Sequence, residues 1–216
     1  LGSDAGRGGG ETGGVVNATG AFARLSRLGV PVLRTADAAA ALELSASAAS
    51  VTLSRLAKAG LLRRVRSGTW WIGDGLDALR LPEFLTAPLP SYVSLLSALS
   101  IHGLIEQLPQ VAYAVTLARS QRITTSVGLV SLHHIDPGLF GGFVTLESGV
   151  KIATPEKALF DLAYLSGGRS RRFSSLPELE LPSDFRRREL KRWVNRIASM
   201  RSRTMTSLRL ERWVLS

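Results

Sequence analysis

The chain has 216 residues, 45% of them hydrophobic, enough for one or two ordinary domains with a real core. It holds no cysteine and three histidines, which excludes disulfides, thiolate chemistry and cysteine-type zinc sites, and would leave a metal site resting mainly on carboxylates. No apolar run approaches the roughly 18 to 20 residues of a membrane span, and 27 Lys+Arg against 17 Asp+Glu give a net charge of +10, a balance that fits a polyanionic partner.

The charge is unevenly placed. Residues 1–80 hold ten basic and six acidic side chains, residues 81–165 four and six, and residues 166–216 thirteen and five. A neutral middle is flanked by two basic ends. Residues 1–16 carry glycine after glycine and almost nothing to bury, so they read as a disordered leader. The absence of a charged-then-apolar secretory pattern and of cysteine points to a cytoplasmic protein, and no cofactor is expected.

Residues 17–80 read as one module. Ala21 to Leu28 is a short amphipathic helix ended by Gly29 and Pro31, and Thr35 is placed to cap a second helix over Ala36 to Leu44. Ser45 to Ser47 makes a turn, Ser47 caps a third helix reaching Ala59, and Gly60 supplies its left-handed end. Leu61 to Arg66 and Thr69 to Ile72 then form two strands across Ser67-Gly68. This order is that of a winged helix-turn-helix.

At about 100° per residue the third helix turns Ala49, Leu53 and Leu56 to one side, and Ser47, Val51, Ser54, Arg55 and Lys58 to the other, with Ser50 and Thr52 on the flanks. That second face carries no carboxylate. Small hydroxyls allow close approach to DNA, Arg55 is long enough for guanine O6/N7, Val51 suits a thymine methyl and Lys58 a phosphate. On the wing Arg63, Arg64 and Arg66 are placed for a backbone or minor groove. The competing reading is a solvated face on a module that only meets protein. Trp70 and Trp71 fall on opposite faces of their strand, core being the simpler role for both.

Pro82, Pro88 and Pro90 mark a hinge, after which residues 81–216 read as a C-terminal α+β domain with a basic helical end at 166–216. Tyr92 to Leu104 reads as a buried helix, followed by strands over Val111–Leu117, Ser126–Ile135 and Gly142–Thr154. Thr154 caps a last helix with Pro155 in its first turn, Glu156 at the positive end of the dipole, and Lys157 and Asp161 paired one turn apart. The fold class is α+β: a winged helix-turn-helix followed by a mixed helix and antiparallel-strand domain.

Several stretches here resemble the AbiEi-type antitoxins. They are Tyr92 to Pro109, Val115-Thr116, His133-His134-Ile135, and Gly149 to Leu159 with its Thr154-Pro155-Glu156-Lys157-Ala158-Leu159 run, then Asp161-Leu162. The resemblance implies a phage-defence antitoxin and repressor whose winged domain binds inverted repeats in double-stranded DNA upstream of its own operon. It also implies a C-terminal domain that counters a nucleotidyltransferase-like toxin without requiring a stable complex. What carries over by residue is the recognition helix, Ser47 to Lys58, and the wing, Arg63 to Arg66.

Enzyme motifs are missing: there is no phosphate-cradling Gly-x-x-x-x-Gly-Lys loop, dinucleotide fingerprint or nucleophile elbow. Adjacent His133 and His134 point apart on a strand, and His102 reads as a satisfied, partly buried side chain. Ser183 is placed to cap a helix from Asp184 to Met200, with Leu190, Val194 and Ile197 as its stripe and Trp193 beside it. Arg188, Lys191, Arg192 and Arg196 lie on its other side, either a solvated face or a second patch for phosphate, RNA or toxin. The alternative for the whole protein is an interaction module that binds the toxin directly, with DNA binding secondary.

Overall fold

In a computed structural model, residues 17–167 and 178–215 are described. The expected leader and most of the Gly/Arg/Ser stretch after residue 166 lie outside them. The chain divides into two compact units at Asp74/Gly75 rather than at residue 80. Pro82 is no hinge: it is buried at the first position of a short helix belonging to the second unit.

The first unit contains α1 (Ala18–Ser26), β1 (Val32–Arg34), α2 (Thr35–Leu42), α3 (Ala46–Lys58), β2 (Leu62–Arg66) and β3 (Thr69–Ile72). The strands form one antiparallel sheet, β1-β3-β2. Strand β1 has no counterpart in the sequence reading, since three residues are too few to show alternation. Thr35 is not the cap of α2: the preceding Arg34 N–H donates to Asp37 Oδ2 at 3.0 Å, while Thr35 Oγ1 accepts the Trp70 indole N–H at 3.0 Å. The helix stops at Glu43, whose φ of 57° is left-handed. Ala21, Leu25, Leu33, Ala38, Leu42, Leu53, Leu56, Leu62 and Trp70 make the core.

The second unit carries α4 (Pro82–Thr86), β4 (Ser91–Val93), α5 (Leu95–Ile101), β5 (Val111–Thr116), β6 (Gln121–Thr125), β7 (Gly128–His134), β8 (Phe143–Thr145), β9 (Lys151–Ala153), α6 (Pro155–Leu165), α7 (Arg187–Asn195) and α8 (Met200–Leu215). Its six strands run β6-β7-β5-β4-β9-β8, with β5/β7 and β4/β9 parallel and the other pairs antiparallel. The sheet is therefore mixed rather than antiparallel, and α+β describes the chain.

Four expected elements divide or move. Residues 91–93 form the strand that joins β5 to β9, so the helix expected from Tyr92 begins only at Leu95. The strand expected over Ser126–Ile135 is the second arm of a hairpin whose first arm is the polar Gln121–Thr125. The strand expected over Gly142–Thr154 is likewise two arms, closed by Leu146 N–H to Val150 O at 2.9 Å and a left-handed Gly149. The C-terminal helix starts at Arg187 instead of Asp184 and ends at Asn195, and residues 200–215, too irregular in pattern to assign, form α8.

Thr154 does cap α6, accepting the Lys157 N–H at 3.3 Å. Behind the cap lies a fully buried ion pair between Lys157 Nζ and Asp161 Oδ1. Asp161 Oδ2 accepts the Tyr92 hydroxyl at 3.0 Å and the Ser94 hydroxyl at 2.8 Å. The Lys157 ammonium lies 4.5, 4.8 and 5.6 Å from the ring centroids of Trp193, Phe160 and Tyr92, an internal aromatic cage. Burial draws Lys157 below the usual lysine range and pushes Asp161 above the carboxylate range, each opposed by its partner's charge. Burial, then the charge of Asp161, keeps the Tyr92 phenol protonated as a donor.

Removing one partner of such a pair costs about 3–5 kcal/mol. Asp161→Ala strands the ammonium and two hydroxyl donors, whereas Lys157→Met leaves a carboxyl that keeps both hydroxyls and can take a proton. Urea unfolding followed by near-ultraviolet circular dichroism should rank Asp161→Ala as the more destabilising; the reverse order would make the ammonium the organising group.

Glu156 does not simply face the helix dipole. It is buried, and its Oε1 accepts both the Arg186 backbone N–H at 3.0 Å and the Arg186 Nε–H at 3.2 Å. Burial pushes this carboxyl up, but the hydrogen bonds and charge of Arg186 more than offset it and hold it below its ordinary 4.5. Its contribution to stability is thus present above about pH 4.5 and lost as pH falls through the lowered folded value. Glu156→Gln should flatten acid unfolding over that window; an unchanged acid profile would remove the Arg186 tether from the account.

Candidate nucleic-acid interface

Helix α3 begins two residues earlier than its sequence suggests. Ser45, not Ser47, is the cap: its Oγ accepts the Ala48 N–H at 3.2 Å, and its backbone is extended. Ser47 is therefore inside the first turn, its hydroxyl 3.0 Å from that of Ser45. Ala49, Leu53 and Leu56 are fully buried, which rotates the opposite side outward. Ser47, Ser50, Val51, Ser54, Arg55 and Lys58 are all exposed on that side and Thr52 is half-buried. These positions recur at i, i+3, i+4 and i+7, one continuous stripe.

Two details bear on its chemistry. Ser54 Oγ donates to Ser50 O at 2.8 Å, so this hydroxyl offers an outside group its lone pairs rather than its proton. Val51 is 51% exposed, an apolar side chain set among hydroxyls on a helix without a carboxylate.

The wing is shaped by an irregularity. Register across β2/β3 shifts between Arg64 and Arg66, which pair with Trp70 and Thr69, so Val65 is the extra residue. Val65 turns inward, 1% exposed, while Arg63, Arg64 and Arg66 all face solvent. A regular strand would have alternated them. The Arg64 guanidinium sits 5.7 Å from the centroid of Trp70, whose indole N–H is held by Thr35. Both tryptophans are core: Trp71 is 1% exposed and its indole donates to Asp74 O at 3.2 Å.

The second basic patch is less uniform than its sequence. Arg188 and Lys191 are exposed on α7. Arg192 pairs with Glu189 at 2.6 Å, and Arg196 lies beyond the helix with its guanidinium 4.6 Å from the Trp193 centroid. Leu190, Val194 and Ile197 are buried as the stripe requires.

Candidate catalytic groups are occupied structurally. His102 Nε2 lies 2.7 Å from Ala153 O, His133 Nε2 3.0 Å from Ser131 Oγ, and His134 Nδ1 3.2 Å from Ala118 O. No three His, Asp or Glu side chains among the described residues are placed to hold a metal ion. Among the described residues no helix is long and apolar enough to cross a membrane. Sequence reasoning missed the Ser45 cap and the Val65 bulge. The first was open to it, since both serines satisfy cap preference and only the burial of Ala49 with Leu53 fixes the phase.

Three helices with a three-stranded wing, the third helix presenting a carboxylate-free stripe, define the first unit as a winged helix-turn-helix. Residues 22–71, inside that unit, match the model of a family described as transcriptional regulator, AbiEi antitoxin. The match, confined to the first unit, supports an AbiEi-type antitoxin and transcriptional regulator. The resembling stretches of the second unit, from Tyr92 to Leu162, lie outside the matched residues. No curated protein matches the chain.

Loss of the cap should loosen the start of α3. Ser45→Ala is expected to cost about 1 kcal/mol in thermal unfolding of the first unit, while Ser47→Ala costs only a few tenths; equal effects would return the cap to Ser47.

Proposed function

We propose that the protein is a DNA-binding repressor that autoregulates its own toxin–antitoxin operon through upstream inverted repeats, and that it counters a nucleotidyltransferase-like toxin. Helix α3 reads the major groove through Ser47, Ser50, Val51, Thr52, Ser54, Arg55 and Lys58, and Arg63, Arg64 and Arg66 on the wing fix register on the backbone. The observation that supports this most is the exposed stripe on α3, which offers hydroxyls, one apolar side chain and two cations with no carboxylate. Residues 17–74 hold eight basic and three acidic side chains, and three of the basic ones sit on one wing strand.

Arg188 and Lys191 are proposed to add non-specific contacts, each phosphate neutralised steepening the log–log salt dependence by about 0.9. Arg192 and Arg196 have internal partners to give up first. Toxin neutralisation without a stable complex is the part of the reading that rests on family resemblance alone.

A footprint on the DNA immediately upstream of the gene, run at two salt concentrations, tests the proposal. Arg55→Ala should cost about 1–3 kcal/mol on that sequence and much less on random DNA. Equal losses on both would make Arg55 a phosphate contact. No loss on either would remove α3 from the interface, and stable co-purification with the toxin in high salt without a footprint would favour the interaction-module reading.

A further inference from the structure

Helix α8 turns Arg201, Ser202, Met205, Thr206 and Arg209 to one side, at spacings of i, i+1, i+4, i+5 and i+8. Across from them lie Tyr164 and Leu165 at the end of α6, Gly167 just after it, and His134 and Asp136 at the end of β7. Together they line a cleft of about 580 Å³, within the ~300–1,000 Å³ of small-molecule sites. Its lining is uncovered: Met205 is 45% exposed, and His134, Asp136 and Arg201 are exposed as well. Gly167 makes room for a cation, since a Cβ there would lie 2.9 Å from Arg209 Nη1.

Several of these groups are anchored on one side and open on the other. Arg209 Nη1–H donates to Ala163 O at 3.2 Å, which holds the guanidinium at the cleft. His134 Nδ1 lies 3.2 Å from Ala118 O, so its proton sits there and Nε2 is left open. Asp136, the one acid of the lining, accepts the Gly138 N–H on Oδ1 at 2.8 Å. Burial first, then the charge of Asp136, raises the Tyr164 phenol, so its hydroxyl stays a donor. Thr206 differs from all of these. It lines the cleft at 1% exposure, yet its hydroxyl makes no hydrogen bond to another described residue. Thr204 on the same helix has the ordinary arrangement, donating to Met200 O at 3.1 Å. A hydroxyl withdrawn from water without a partner is unfavourable, and an oxygen-rich ligand supplies the missing acceptor.

We propose that this cleft binds the terminal phosphate of a nucleotide. The phosphate takes the hydroxyls of Thr206 and Ser202, which Arg201 and Arg209 bracket from two turns, or about 12 Å, apart along the helix. Met205 and Leu165 offer the base an apolar surface, and Asp136 an acceptor for a sugar hydroxyl or base amino group. A phosphomonoester carries a charge of about −1.5 to −2, which two guanidinium groups meet with charge-assisted hydrogen bonds. A phosphodiester within a duplex fits less well: sugars flank it on both sides, so it does not protrude to a hydroxyl as enclosed as that of Thr206. Residues 168–177 carry Arg169, Arg171 and Arg172 and no acid, the wrong sign for an occupant. A free nucleotide and the phosphorylated end of a strand present the same chemistry. The inference stands on α6, α8 and the end of β7 and does not depend on DNA binding by α3.

The test is isothermal titration of the full chain with the four ribonucleoside 5′-monophosphates and with a 5′-phosphorylated tetranucleotide, each beside its unphosphorylated counterpart. At least one phosphorylated probe should bind about tenfold or more tighter than its counterpart. Binding of the monophosphates alone identifies a free nucleotide as the source, and binding of the tetranucleotide a strand end. Thr206→Val removes the hydroxyl at nearly constant shape. It should weaken binding about tenfold and leave the melting temperature unchanged or higher, because no internal hydrogen bond is lost. Arg201→Ala should weaken binding by at least as much with circular dichroism unchanged. Failure of every phosphorylated probe to bind, or equal affinity for the unphosphorylated ones, overturns the proposal. So does inorganic phosphate that competes as well as the best nucleotide, which would make the cleft an unselective anion site. Equal competition by unphosphorylated duplex DNA would assign it to phosphodiesters instead. A Thr206→Val variant that melts lower with affinity intact would make the hydroxyl structural and likewise overturn the assignment.

Discussion

The second unit is organised around one carboxylate. Asp161 has no exposure, yet both of its oxygens are satisfied, one by Lys157 and the other by the hydroxyls of Tyr92 and Ser94. These donors come from three elements: α6 itself, the short strand β4, and the turn into α5. A buried charge without partners is expensive and a well-bonded one defines geometry. Leu95, next to Ser94, has a left-handed φ of 56° and is fully buried. A non-glycine residue there costs roughly 1–3 kcal/mol. The Ser94 hydrogen bond and burial of Leu95 hold it in place, and the strained turn lets β4 end and α5 begin without a connecting loop.

Lys157 extends the same organisation outward. Its ammonium is enclosed by Phe160 on its own helix, Tyr92 on the sheet and Trp193 on α7, so the cage links three layers. Gly142 completes it: a Cβ there would lie 2.6 Å from the Trp193 ring and 2.9 Å from Lys157 Cγ, and its φ is 72°. Backbone with no side chain is the only thing that fits. Arg186 bound to Glu156 fixes the approach to α7 from the other side. The placement of α7 follows from the buried charges of α6.

Much of this was legible in the sequence. The burial of Ala49, Leu53 and Leu56, the wing hairpin at Ser67-Gly68 and the Thr154 cap follow from local rules, because each depends on neighbours within one or two turns. What was not legible depends on distant partners. Tyr92 reads as helical until β5 and β9 require a strand between them, and Thr35 reads as a cap until Trp70 claims its hydroxyl. The pairing of Lys157 with Asp161 is visible as i, i+4 spacing, but spacing says nothing of burial or of rings from Tyr92 and Trp193. On α3 the helix phase follows from the apolar spacing, whereas the choice of Ser45 over Ser47 as cap does not. The exposure of Arg63 and Arg64 side by side needed a bulge that alternation cannot show.

Strand β4 is three residues long and has β5 on one side and β9 on the other. Its pairing with β5 closes a loop of modest length, whereas Val93 meets Ile152 only after most of the second unit has been made. The first unit has no such debt to later sequence, since every strand pair in it lies between Val32 and Ile72. Contacts separated by long stretches form slowly and wait for their partners. On a growing chain the winged unit is therefore complete while β4 still has an open edge, and that edge closes only with the arrival of the segment that also delivers Lys157 and Asp161.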